Sequence, residues 1–352
     1  MMQHHTMTSK YPRRQFLGQL ATLGALATTA SPYATAKGAN FTKSLPADEK
    51  KFVPVMITPF TTDLKIDYTG LSSLIDLYLA SGAKGLFANC LSSEMYQLTD
   101  DERLSLVKHV VKHVKGAVPI VATGSFGSDV KSQADFAKKM HQTGVNGVIL
   151  ITSHFATKEE SDAVMMSNLD KFFAKTEGIP MGTYECPSPY KRILTPETFR
   201  YLVGSNRITY HKDTTLDIAK IKVKLDLCAG TRLEFYDAHA PNAVFSLQNG
   251  AKGLSCIAGN FYPEIFAWMC ANVNDSSKAS GVRWLQDEMT RLDDVVGNGY
   301  SLSARYFLNK RGLNLQLASR ASKVPLSAEQ KKTLDETYKT VQQWHERLGI
   351  KI

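Results

Sequence analysis

Lys212 stands in the run Ile208-Thr209-Tyr210-His211-Lys212-Asp213-Thr214-Thr215-Leu216-Asp217, a short β-prone stretch whose end carries Thr214 and Asp217 at the spacing of a helix capping box. That spacing predicts a lysine at the point where a strand hands over to a helix. With its stem inside a barrel and little water around it, such an amine has its pKa lowered, because burial penalises the charged form. A free lysine with a pKa of about 10.4 is neutral in less than roughly one part in a thousand at pH 7. A value of about 7 or 8 raises that fraction by a factor on the order of a hundred and makes the amine able to attack a ketone. Among 42 Lys and Arg residues, however, the ordinary fate of any one is to be a solvated cation. The neighbours of Lys212 in the fold must decide.

The elements that would position it recur along the chain. Phe52 to Thr58 is a strand-like run closed by Pro59, followed from Asp67 to Ser81 by a helical face of Leu71, Leu74, Ile75, Leu77, Tyr78 and Leu79. Strand then helix repeats as 85–89 and 100–115, 118–123 and 130–142, 147–152 and 158–175, 180–185 and 196–203, 208–212 and 216–227, 233–237 and 242–248, and 253–257 and 263–271. Such alternation predicts an α/β fold, a (β/α)8 TIM barrel over residues 52–275. The competing architecture, a doubly wound open sheet, ranks lower because no Gly-rich phosphate fingerprint follows the first strand. The turn Gly82-Ala83-Lys84-Gly85 returns instead as Gly144-Val145-Asn146-Gly147 and Gly250-Ala251-Lys252-Gly253. From Ser276 the pattern is helical only, which predicts a C-terminal helical extension over 276–352, packed on the outside of the barrel.

Composition narrows the function classes. The chain has 352 residues, 43% hydrophobic and 21% charged, with a formal net charge of +9 and no basic run interleaved with aromatics. Nucleic acid is therefore not an expected partner, whereas an anionic small substrate suits the modest positive excess. Residues 1–36 carry Arg13-Arg14-Gln15-Phe16-Leu17-Gly18, an apolar run to Ala30 and Ala34-Thr35-Ala36, in the order of a twin-arginine signal peptide with a small-residue cleavage site. The run is too short and too rich in Gly, Thr and Gln to span a membrane comfortably. An exported, periplasmic protein starting near Lys37 follows, with 37–51 as a linker. Loss of Lys10, Arg13 and Arg14 would lower the formal charge to +6. The five cysteines, Cys90, Cys186, Cys228, Cys256 and Cys270, form no CxxC pair; they announce neither a disulfide framework nor a zinc site, although an oxidising compartment leaves room for a bridge or two.

On a closed ring, the strand ends gather at one mouth. Leu91-Ser92-Ser93-Glu94 follows the second strand, His154-Phe155 the fourth and His239 the seventh; Tyr184-Glu185-Cys186-Pro187 lies at the fifth and Lys212 at the sixth. A reactive lysine beside a phenol and a hydroxyl-rich loop is what imine chemistry on a keto acid needs: the amine forms the carbinolamine, the phenol shuttles the proton, and hydroxyls with backbone amides hold the carboxylate. No cofactor is called for. Metal chemistry is a rival, since Cys90, Cys186, Cys256, His154, His211 and His239 also fall near strand ends, but scattered cysteines without ligand spacing read as small buried hydrophobes.

Taken together, these motifs resemble the dihydrodipicolinate synthase and N-acetylneuraminate lyase family of pyruvate-dependent Schiff-base aldolases. The resemblance runs from Val53 to about Arg311 and rests on residues 54–60, on Ser92-Ser93-Glu94 followed by Leu98-Thr99-Asp100-Asp101-Glu102-Arg103, on Tyr184-Glu185-Cys186-Pro187, on Lys212-Asp213-Thr214-Thr215-Leu216-Asp217 and on Asn249-Gly250-Ala251-Lys252-Gly253. It implies that Lys212 is the Schiff-base lysine, Tyr184 the proton-transferring phenol, and Ser92 with the amide of Ser93 the seat of the pyruvate carboxylate. Ser255, His239 and Lys191 complete the candidate substrate-binding set. It also implies a homo-oligomer, a dimer or tetramer. Departures are equally plain. Leu91 stands where the family's first hydroxyl belongs, Phe155 where the synthases borrow a tyrosine from a neighbouring subunit, Pro189 where their second-substrate arginine lies, with Lys191 and Arg192 nearby, and His239-Ala240 where lyases place acids. These losses point away from both lysine biosynthesis and sialic acid cleavage, toward a different aldehyde partner. A binding protein that keeps the fold and drops the catalysis is the alternative from another class.

Overall fold

The computed structural model describes residues 49–351. The export signal expected over 1–36 and most of the linker after it lie outside the described residues. Eight parallel strands, β1 (Lys51–Phe52), β2 (Leu86–Phe87), β3 (Ile120–Thr123), β4 (Gly147–Ile151), β5 (Met181–Tyr184), β6 (Ile208–Asp213), β7 (Glu234–Asp237) and β8 (Gly253–Leu254), pair in the order β1-β8-β7-β6-β5-β4-β3-β2. A bridge between Val55 and Phe87 joins the two outer members, with the Phe87 amide donating to the Pro54 carbonyl, so the sheet curls into the expected TIM barrel. Around it run α1 (Tyr68–Ala80), α2 (Asp100–Val114), α3 (Val130–His141), α4 (Asp162–Lys175), α5 (Pro196–Gly204), α6 (Ile218–Cys228), α7 (Ala243–Gln248) and α8 (Pro263–Asn272). Helices α9 (Ala279–Arg291), α10 (Asp293–Gly297), α11 (Leu302–Lys310) and α12 (Ala328–Leu348) follow. Among the described residues no helix is long and apolar enough to cross a membrane.

Local chemistry explains both the matches and the differences. The repeated helix-to-strand turn works because Gly82, Gly144 and Gly250 take positive φ values of 89°, 97° and 110°. The glycine that closes the third turn, Gly253, is needed for another reason: a Cβ there would run into the Lys51 carbonyl across the β1–β8 ladder. The first strand is only two residues long instead of the seven from Phe52 to Thr58, since Pro54 has no N–H to give to a ladder. Helix α4 begins at Asp162 behind Ser161, later than the apolar spacing from Lys158 suggests. The capping box expected from Thr214 and Asp217 does not form. The Thr214 hydroxyl donates to the Glu185 carbonyl at 2.7 Å, Leu216 turns through a φ of 69°, and Asp217 alone caps α6 by accepting from the amides of Ala219 and Lys220.

Strand β6 sends its alternate side chains to opposite faces. Tyr210 points inward and stacks on Tyr236 with centroids 4.5 Å apart, while His211 and Asp213 face the helices. Behind the sheet, Lys224 from α6 places its ammonium 2.5 Å from Glu185, 2.6 Å from Asp213 and 2.8 Å from the Thr215 hydroxyl. The His211 ring lies beside it and bonds to the Thr183 hydroxyl at 2.9 Å. Burial alone would raise the pKa of Asp213, but His211 and Lys224 hold it below the usual carboxylate range. Burial would likewise lower that of Lys224, and its two carboxylates reverse the sign. Glu185, His211 and Asp213 have the donor types of a metal site, and the cation among them is this ammonium.

The Lys224→Met variant leaves two buried carboxylates with no cation, which should lower stability by about 3–5 kcal/mol. In the native chain the depressed pKa of Asp213 gives stability that is present above the unfolded value and lost as pH falls through the folded one; without Lys224 that pKa moves up. Urea unfolding should therefore show a larger gap between the two proteins at pH 8 than at pH 5.

Candidate active site

A cavity of about 620 Å³ opens at the carboxyl ends of the strands. Lys212 reaches it from β6, 3% exposed, directly across the ladder from Tyr184 on β5. The Lys212 amine lies 4.1 Å from the centre of the Tyr184 ring, and that ring packs edge-on against Phe87 at 5.8 Å. Burial lowers the pKa of Lys212, and the surrounding Cys90, Cys186, Cys256 and Asp237 oppose the shift without reversing it. Burial also pushes the Tyr184 phenol well above its ordinary value, so it stays protonated and can act as an acid. The pair is a nucleophile short of its charge beside a phenol that keeps its proton.

Three of the cysteines, Cys90, Cys186 and Cys256, are part of this enclosure. All five are free and buried, so none of the bridges that an oxidising compartment would permit is made. The thiols of Cys90, Cys186 and Cys256 have pKa values raised first of all by burial, which keeps them neutral and apolar toward the amine. Asp237 is a second buried acid close by. Desolvation raises its pKa to about 6 against bonds from the Ser246 hydroxyl and the His239 amide.

Of the residues singled out in the sequence, Lys212, Tyr184, Ser92, His239 and Lys191 all line the cavity. Ser93 and Ser255 do not. The Ser93 hydroxyl donates to the carbonyls of Met56 and Ala88 at 2.7 and 2.8 Å, and its amide donates to the Cys90 carbonyl at 3.0 Å. Ser255 is fully buried and donates to the Val53 carbonyl at 2.8 Å. Both serines hold barrel backbone where β1 lacks ladder bonds. Phe155 is sealed against Phe172, centroids 5.1 Å apart. Arg192 is tied to Asp162 at 2.8 Å and to the carbonyls of Thr157 and Glu160, leaving Lys191 as the cation of that loop at the cavity.

Other residues of the site carry no motif. Tyr96, in the turn after Glu94, bonds to His154 at 2.8 Å and donates to the Ser188 carbonyl at 2.7 Å. Asp293, Gly297, Tyr300, Ser301 and Ala321 come from the C-terminal extension, which therefore reaches the mouth and does not merely coat the outside of the barrel. Its anchor is Glu94. One carboxylate oxygen accepts from Ser301 at 3.0 Å and from Arg305 at 2.9 Å, the other from the amides of Arg320 and Ala321 at 2.7 and 2.9 Å. Asp293 stands 3.5 Å from the His239 ring and, more than any other neighbour, raises the pKa of that imidazole. A smaller cavity of about 250 Å³ at the other end of the barrel is lined by strand starts such as Gly85, Gly147 and Met181.

Removing Arg305 leaves Glu94 buried without its cation, so Arg305→Ala should cost about 3–5 kcal/mol in denaturant unfolding. Limited proteolysis should then cut first between α11 and α12, where Arg320 and Ala321 depend on the same carboxylate.

Comparison with known proteins agrees with this construction. The sequence profile of the dihydrodipicolinate synthetase family matches residues 48–341. The 4-hydroxy-tetrahydrodipicolinate synthase of Shewanella sp. (strain W3-18-1) is 27% identical over 219 residues, which covers 62% of this chain and 72% of that protein. The enzyme of the same name from Methanococcus maripaludis (strain C5 / ATCC BAA-1333) is 27% identical over 252 residues, 70% of this chain and 83% of its own. In fold, the chain is similar to dihydrodipicolinate synthase from Bacillus anthracis, with a TM-score of 0.75, 21% identity and coverage of 83% and 98%. It is equally similar to a prophage protein of the dihydrodipicolinic acid synthase family from E. coli K12, solved in complex with pyruvate, at a TM-score of 0.75, 20% identity and coverage of 84% and 98%. A barrel with a desolvated lysine over a tyrosine ring, matched by that profile along most of its length, belongs to the dihydrodipicolinate synthetase family, whose members are class I aldolases and lyases acting on pyruvate-type substrates.

Proposed function

We propose that this protein is a Schiff-base lyase for pyruvate or a closely related 2-keto acid, with an aldehyde partner unlike those of the dihydrodipicolinate and sialic acid enzymes. The observation that carries the reading is Lys212, buried, with its amine over the Tyr184 ring in the lining of a cavity of about 620 Å³. The neutral amine attacks C2 of the keto acid, and the C2–O π pair moves to oxygen, which takes a proton. Tyr184, whose ring lies 4.1 Å from the amine, is the phenol placed to give one. The nitrogen then passes a proton to that C2 hydroxyl, which departs as water while the freed nitrogen lone pair closes the C=N bond and leaves an iminium ion. That cation is the electron sink into which a C3–C4 bond can break once the C4 hydroxyl gives up its proton, and the enamine so formed takes a proton at C3. His239, with Asp293 behind it, is the group at the mouth suited to the C4 hydroxyl.

The aldehyde side differs from both namesakes. Leu91, Pro187, Leu216 and Ile257 make much of the wall apolar, and Lys191 is its nearest free-standing cation. A less polar aldehyde, or one held mainly by Lys191 and His239, suits that lining. Export by the twin-arginine route is part of the same proposal, resting on Arg13-Arg14 and the small-residue segment after them. An exported place of work fits a lyase of scavenged keto acids better than a step of lysine biosynthesis. Assembly into a homo-oligomer is proposed from the habit of its relatives. A non-catalytic keto-acid-binding protein is the second reading, favoured by Leu91 and Phe155 where relay hydroxyls are expected.

Borohydride treatment in the presence of pyruvate should reduce an adduct onto Lys212, read by peptide mass spectrometry. A native protein that binds pyruvate yet gains no adduct would leave only the binding role. Because the Lys212 pKa is lowered by burial, the neutral fraction rises with pH at lower values than for a free lysine, so the trapping rate should climb along an ionisation below about 10.4. Tyr184→Phe should slow turnover by roughly 10²–10⁴ with the fold intact, as for loss of a positioned acid.

A further inference from the structure

The keto-acid reading asks for two hydrogen-bond donors on the substrate carboxylate, and the amide and hydroxyl of Ser93 are both committed to barrel carbonyls. Ser92 alone of that serine pair faces the cavity. The donor beside it comes from the C-terminal extension. Tyr300 lies in the connection between α10 and α11 and lines the same cavity as Lys212. Its phenol oxygen accepts from the Asn260 amide at 2.8 Å, and the Ser92 hydroxyl lies beside it. Asn260 is itself fixed. It donates to the Val55 carbonyl at 2.8 Å and accepts from the buried hydroxyl of Tyr78, so its NH2 end is the one turned to Tyr300.

This arrangement sets a polarity. A phenol has one proton to give and two lone pairs to receive bonds. With Asn260 donating to its oxygen, the Tyr300 hydroxyl has its proton left for the cavity, where Ser92 offers a second. We propose that Tyr300 and Ser92 together receive the carboxylate of the keto acid, which makes Tyr300 a specificity residue supplied by the extension. Burial raises the pKa of the Tyr300 phenol, partly opposed by Ser92 and by Arg305, so the group remains a donor through neutral pH. The substrate's negative charge meets no exposed guanidinium here, since Arg305 is held by Glu94. Recognition by two neutral hydroxyls keeps the amine of Lys212 as the reacting base instead of adding a second cation beside it. The proposal rests on the keto-acid reading and adds the residue that reads the acid.

Calorimetric binding of pyruvate and of the uncharged pyruvamide to the native chain and to Tyr300→Phe tests it. The native protein should prefer pyruvate. The variant, which keeps the ring, should lose about 10- to 100-fold in pyruvate affinity, as for one hydrogen bond to a charged group, with pyruvamide nearly unchanged. Equal losses for both ligands, no loss for either, or a native protein that does not prefer pyruvate overturns the assignment. Ser92→Ala must show the same selective loss, and it decides the matter if Tyr300→Phe does not fold. The borohydride trap on the native chain is read separately: no adduct with the carboxylate preference intact removes the imine and leaves Tyr300 in its role, whereas an adduct without the preference does the reverse.

Discussion

Burial of a lysine amine without a carboxylate against it is the constraint on which the site depends. The barrel contains the control for its own chemistry. Lys212 and Lys224 are both almost completely buried, 3% and 2% exposed, and lie on opposite sides of the same stretch of β6. Lys224 has two carboxylates within hydrogen-bond distance, and its pKa is raised. Lys212 has the face of a phenol ring and three neutral thiols, and its pKa is lowered. Desolvation acts on both; what separates them is which side of the strand carries the acids. The one-residue alternation of β6 puts Asp213 on the helix side and Lys212 inside. A register slip of one would exchange a reactive amine for a salt bridge.

That segregation has a cost that the inner layer offsets. An ammonium at the position of Lys212 would be a buried charge with no fixed anion, and the ordinary escape is deprotonation. Phe87, Tyr184, Tyr210 and Tyr236 fill the barrel with aromatic surface and keep water from solvating the charged form. Asp237 is the nearest acid to temper this, and it is itself so desolvated that its pKa rises to about 6. Its carboxyl is held by Ser246 and the His239 amide, not by the lysine. The low dielectric that suppresses one charge thus suppresses both, and the amine stays the more nucleophilic for it.

How much of this was legible in the chain depended on whether a feature was local. Eight strand-helix units were readable because each carries its own apolar period and its own glycine turn. Lys212 beside Tyr184 was readable because both sit at strand ends one unit apart, and parallel neighbours in a barrel must pair there. Thr214 was misread as a cap because its competing acceptor, the Glu185 carbonyl, lies 29 residues away in sequence. Ser93 and Ser255 look like substrate ligands in the sequence for the same reason: nothing near them reveals that Pro54 shortens the first strand and leaves the carbonyls of Val53 and Met56 to be satisfied by side chains. The reach of the extension is the least legible feature. Its amphipathic helices have the spacing of an outer layer, and ties between residues far apart in sequence, such as Glu94 with Arg305, 211 residues apart, and Asn260 with Tyr300, bring it to the mouth.

The extension also bears on the two hydroxyls that appeared lost. Leu91 and Phe155 are apolar where relay groups were expected, and Phe155 is sealed behind Phe172. A polar function withdrawn from one wall of a small cavity can be restored from another only if the new group is held as rigidly as the old. Tyr300 meets that condition through Asn260, which in turn is locked to the Val55 carbonyl and the Tyr78 hydroxyl. Asp293 meets it less strictly, 3.5 Å from a His239 ring that is itself partly exposed. The rigid end of the cavity is therefore the end that holds Lys212, Tyr184 and Tyr300, and on the keto-acid reading the looser end is the one left to a second substrate. On that reading the half that would make the imine is the half held fixed, and the half that would meet an aldehyde is the one whose walls can change without disturbing Lys212.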